Sequence, residues 1–102
     1  MKLATYSKQP GERKDYDVDY APWLEHDAND SLNDVQATIT VTSGTDDDGA
    51  TLQVESIEIT ATIIKLWVSG GVDGVTYKVD LTVKTQFGRI DECELVFKVK
   101  EI

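Results

Sequence analysis

The chain has 102 residues, one domain's worth, and its 40% hydrophobic and 28% charged content is that of a globular protein rather than a disordered one. Nineteen acidic against ten basic residues give a formal charge of −9, a surface that repels phosphate backbones and argues against nucleic-acid binding. One cysteine, one histidine and the lack of any long apolar run exclude an internal disulfide, a Cys-rich zinc site and a membrane-spanning helix.

In chain order, residues 1–14 carry Lys2, Lys8, Arg13 and Lys14 against Glu12, with a Gln9-Pro10-Gly11-Glu12 turn signal and little apolar content. They are expected to be an extended basic N-terminal arm, with residues 15–102 as the folded domain. Met1–Tyr6 lacks the apolar stretch of a signal peptide, so synthesis in the cytoplasm is expected. Asp15–Tyr20 alternates strictly, with Tyr16, Val18 and Tyr20 on one face and three Asp on the other, which predicts a half-buried strand. Pro22 ends it. The stretch from Asp15 to Asp34 has seven acids and no Lys or Arg.

Val35, Ala37, Ile39 and Val41 alternate with polar residues in a second strand. Ser43–Gly49 is a loop of turn residues. Leu52 and Val54 open a further alternation whose parity flips at Glu55-Ser56 and resumes at Ile57 and Ile59, the mark of a bulge or a break. Residues 62–69 form the next strand, with Trp67 sharing a face with Lys65. Gly70, Gly71 and Gly74 turn the chain. Tyr77 to Val83 is the clearest strand, Phe87-Gly88 turns, and Cys93 to Val99 is the last strand. The pattern predicts an all-β fold, an immunoglobulin-like β-sandwich of six to seven antiparallel strands, with the final pair as a central hairpin and Tyr77 opening the penultimate strand.

Chemistry-bearing motifs are few. Asp46-Asp47-Asp48-Gly49 has consecutive acids, not the alternate oxygens of a calcium loop, and reads as a solvated hairpin loop. His26 beside Glu25 and Asp27 has no converging ligands, so no metal is expected. The glycines of Ser69–Gly74 lack the Lys-Ser/Thr ending of a phosphate loop and read as a turn. Cys93 reads as a buried structural thiol. No catalytic residue and no cofactor is expected. The candidate partner-binding side chains are Lys8, Arg13 and Lys14 of the basic arm, the aromatic group Tyr16, Tyr20 and Trp23, and Trp67. The aromatic group either anchors an interface or closes one end of the core. Trp67 is either exposed or lies under a loop.

Several stretches together resemble a known group: Lys8–Glu12, Asp15–Tyr20 with Trp23-Leu24, Trp67–Gly71, Gly74, Tyr77–Val79 and Gly88–Glu92. The chain is similar to the small phage and prophage proteins known as fiber-tail adaptor or virion-associated tail proteins, over most of its length and least across residues 30–60. The resemblance implies an immunoglobulin-like fold and a non-enzymatic role in the virion of a tailed phage, joining tail to fibre. Such an adaptor is expected to have phage tail or fibre proteins and neighbouring copies of the chain as partners, in a symmetric oligomer, while the acidic charge and the lack of a long apolar run predict no nucleic acid and no membrane. Trp67 or Trp23 as a platform for sugars, in a carbohydrate or cell-surface binding module, is the alternative.

Overall fold

A computed structural model describes residues 2–24, 29–47 and 51–101, with side chains from Ala4 onward. The expectations at His26 and at Asp48-Gly49 lie outside the described residues. Seven strands and a single turn of helix follow in order: β1 (Lys2–Lys8), β2 (Lys14–Asp19), α1 (Ala21–Leu24), β3 (Leu32–Ser43), β4 (Gln53–Ile59), β5 (Ile63–Ser69), β6 (Thr76–Thr85) and β7 (Ile90–Val99). They form two sheets, one in the order β1-β7-β6-β3 and one in the order β2-β5-β4.

The period-two alternation explains the layering. Ile64, Leu66 and Val68 of β5 and Val18 of β2 point to one side of their sheet. They meet Tyr77, Val79, Leu81 and Val83 of β6 and Cys93, Leu95, Phe97 and Val99 of β7 in one continuous core. Most of these side chains are fully buried, and each contributes about 1.5–3 kcal/mol of transfer free energy. β6 and β7 pair antiparallel at the centre of the larger sheet, the hairpin expected from the sequence. Leu24, Leu32 and Leu52 are buried as well and join the same core.

Part of the segment expected as an arm is a strand. Residues 2–8 are β1, which pairs with the last strand so that Ala4, Tyr6 and Lys8 lie opposite Leu95, Phe97 and Val99. The pairing is parallel, whereas every other strand pair among the described residues is antiparallel. β1 covers the backbone edge that β7 would otherwise leave open. Its inward positions include a tyrosine and a lysine, so the sequence shows no apolar alternation there. The expected parity flip in β4 is a register shift between Val54 and Ser56. It frees Glu55 from the ladder, as bulges do when they re-aim a side chain.

Gly70 has φ +76°, and a Cβ on it would stand 2.4 Å from the Thr51 carbonyl oxygen. Only glycine lets the β5–β6 turn approach that backbone.

Candidate interaction surfaces

The bulge at Glu55 builds the first surface, on the outer face of the β2-β5-β4 sheet. Glu55 takes the Arg13 Nε–H, 3.1 Å from both carboxylate oxygens. This places the guanidinium 4.5 Å from the centroid of the Trp67 ring. Trp67 Nε1 donates to Glu58 Oε2 at 2.8 Å. Lys65, next but one on β5, lies 3.1 Å from Asp15 and 3.7 Å from Asp17. Trp67 therefore faces outward beside Lys65, half-buried under Arg13. Two expected contact residues, Arg13 and Trp67, meet here.

Lys14 is exposed and pairs with Glu12 at 2.8 Å. Lys8 is placed differently: its side chain is turned inward and only 2% exposed. Its Nζ donates to the carbonyls of Gln9 (2.8 Å) and Gly70 (2.7 Å), which ties the end of β1 to the β5–β6 turn. Burial draws its pKa down, against an opposing pull from Glu12.

The aromatic group divides. Tyr16 packs on Tyr6 and edge-on to Phe97, with centroids 4.6 and 5.0 Å apart. Its hydroxyl is buried without a hydrogen-bond partner. Tyr20 is buried and donates to Asp91 Oδ2 at 3.0 Å, while the Cys93 sulfur lies 3.1 Å from its oxygen. Burial first, then Cys93 and Asp91, raise the Tyr20 pKa far above the usual phenol range. Burial likewise raises that of the Cys93 thiol, an unreactive setting. Trp23 is half-buried edge-on to Tyr20, with the Arg89 guanidinium 4.5 Å from its centroid. Both indoles thus already carry an arginine of this chain.

Arg89 is held by Asp30, whose Oδ2 accepts its Nε–H at 2.8 Å. Asp30 Oδ1 accepts the backbone N–H groups of Ser31 (2.9 Å) and Phe87 (3.0 Å). Burial alone would raise the Asp30 carboxyl, yet the donors from Thr85, Arg89, Phe87 and Ser31 outweigh it and hold the pKa at about 2. Asp30 thereby fixes the β6–β7 turn, which presents Phe87 and Ile90 at 57% and 63% exposure.

The β4–β5 turn sits at the same end, joined by Leu32 N–H to the Ala61 carbonyl and Gln86 N–H to the Ser31 carbonyl, both 2.9 Å. Ile59, the last residue of β4, and Ile63, the first of β5, flank it. Among the described residues, these four are all the large hydrophobic side chains that are exposed, and all lie at this end. The sequence reading missed them because apolar residues beside turns look like strand ends of the core. Their only signal is Phe87 directly before a turn glycine.

Asp46, read from sequence as part of a solvated loop, is an internal acceptor. Its Oδ2 takes the Thr51 N–H (2.8 Å), the Thr51 hydroxyl (3.1 Å) and the Tyr77 hydroxyl (2.8 Å). No group of three or more His, Cys, Asp or Glu stands in metal-binding array among the described residues.

These features define a small two-sheet β-sandwich with a polar face on β2-β5-β4 and an apolar end at the β4–β5 and β6–β7 turns. Over residues 8–98 the chain matches the family described as podophage GP4 fiber-tail adaptor protein gp77, and it belongs to that family. No curated protein matches it. The solution structure of amebosin has 13% sequence identity to it over 97% of this chain and 96% of that one, with a distant backbone likeness at a TM-score of 0.43.

Proposed function

We propose that this chain is a non-enzymatic structural protein of a tailed-phage virion, an adaptor that joins tail to fibre by protein–protein contacts. The observation that carries the role is its membership of the fiber-tail adaptor family across residues 8–98. An immunoglobulin-like sandwich is the finer reading of the fold. The sheet orders β1-β7-β6-β3 and β2-β5-β4 support it. So does Tyr77, whose hydroxyl takes the Val72 N–H at 2.9 Å near the start of the penultimate strand.

The end that presents Phe87, Ile90, Ile59 and Ile63 is the principal docking end. Exposed apolar side chains at one end mark protein contacts, and burying the part of each that is still exposed yields about 0.5–2 kcal/mol. Trp23 and Arg89 border it, and these are the residue types that dominate interface energetics. Arg13, Lys14 and Trp67 offer a second, charged contact on the sheet face. Lys8, Tyr16 and Tyr20 act on partners only through the fold they hold. The partners are tail or fibre proteins and neighbouring copies in a symmetric oligomer, without nucleic acid or membrane.

The test is add-back. Particles assembled without the chain should lack attached fibres, and the purified chain should restore them. The Phe87→Asp/Ile90→Asp variant should keep its circular dichroism and fail to restore. Restoration by the variant, or none by the unaltered chain, contradicts the reading.

A further inference from the structure

Between β1 and β2 the sandwich has an open seam. Among the described residues β2 pairs only with β5 and ends its sheet, and β1 pairs only with β7 and ends the other. A cleft of about 220 Å³ opens there, lined by Ala4 and Tyr6 of β1, by Asp17, Val18 and Asp19 of β2, and by Leu95 of the core. The backbone edge of β2 that faces away from β5 is thus unpaired beside a cleft that reaches core side chains.

The side chains of β2 specify what fits. Asp15, Asp17 and Asp19 stand on its outer face. Lys65 approaches Asp15 and Asp17 from the β5 side only, and their side chains remain 44% and 56% exposed. A strand laid on the other side brings its own side chains opposite these aspartates, where Lys or Arg is favoured and an acid is repelled. The β2 of a second copy is therefore disfavoured at this edge. The alternate positions Tyr16 and Val18 face the core, so the alternate residues of an added strand are apolar.

We propose that the free edge of β2 accepts, by strand addition, an extended segment of a partner protein in which Lys or Arg alternates with apolar residues. The assignment is separate from the apolar docking end and does not rest on it.

The experiment is amide hydrogen exchange, followed by NMR on the full chain, with a blocked Lys-Val-Lys-Val-Lys-Val peptide as probe. Lys-Ser-Lys-Ser-Lys-Ser and Glu-Val-Glu-Val-Glu-Val peptides are the comparisons. The expected result is saturable slowing of exchange at β2 amides by about tenfold with the first peptide alone. An Asp15→Asn/Asp17→Asn variant, altered only at exposed positions, should lose most of that slowing. Three results overturn the proposal. The first is no slowing at β2. The second is equal slowing by the Lys-Ser peptide or in the variant. The third is slowing that rises with protein concentration alone, which would mean that a second copy fills the edge.

Discussion

The Tyr77 hydroxyl donates to Asp46 Oδ2 at 2.8 Å and accepts the Val72 N–H at 2.9 Å, so a single buried phenol joins the β3–β4 loop, the β5–β6 turn and the start of β6. Removing the oxygen takes the partner of a part-buried backbone donor and one of the donors to the Asp46 carboxylate, which keeps Thr51. Tyr77→Phe should lower the unfolding free energy by about 1–3 kcal/mol. Urea denaturation followed by circular dichroism measures it, and a change below about 0.5 kcal/mol would mean that other groups or water replace the phenol.

Tyr16 presents the opposite case, a buried hydroxyl with no partner. Its desolvation is uncompensated, so Tyr16→Phe should be neutral or stabilising by up to about 1 kcal/mol in the same denaturation experiment. A clear loss of stability would show that the hydroxyl is bonded in solution.

Asp30 sets an acid-sensitive step. Its folded pKa of about 2 lies below the ordinary aspartate value. The carboxylate therefore contributes stability that is complete above about pH 4 and is lost as the pH falls towards 2. Asp30→Asn should be less stable at neutral pH and should show a flatter fall in stability across that window. Denaturation midpoints measured from pH 7 to pH 2 test it, and parallel curves for the two proteins would contradict it.

Gly70 and Gly74 separate backbone strain from steric clash. Both have positive φ, but a Cβ meets the Thr51 carbonyl oxygen at 2.4 Å from Gly70 and nothing within 4 Å from Gly74. Gly74→Ala should cost about 1 kcal/mol from strain alone, and Gly70→Ala at least about 2 kcal/mol more. Equal melting shifts for the two variants would mean that the Thr51 segment moves aside freely.

Much of the architecture is legible because β5, β6 and β7 alternate cleanly, and the period of two names both strand and buried face. The outward position of Trp67 follows from its parity with Lys65, and the bulge follows from the parity flip at Glu55. β1 was hidden because parallel pairing is a long-range choice and its inward residues, Ala4, Tyr6 and Lys8, form no apolar stripe. Lys8 reads as a surface cation because nothing in the local sequence reveals the Gly70 carbonyl, which only the folded β5–β6 turn brings to it. Asp46 and Asp30 are likewise ordinary loop acids in sequence, and their work depends on Tyr77 and Arg89, distant along the chain. The apolar end escapes notice because Ile59, Ile63, Phe87 and Ile90 lie in or beside two turns that adjoin only in the fold.

Electron cryomicroscopy of an assembled tail carrying this chain tests the adaptor reading most directly. The account predicts the chain at the junction of tail and fibre, with Phe87 and Ile90 buried against another protein. A chain placed away from that junction, or one in which those two side chains face solvent, would contradict it.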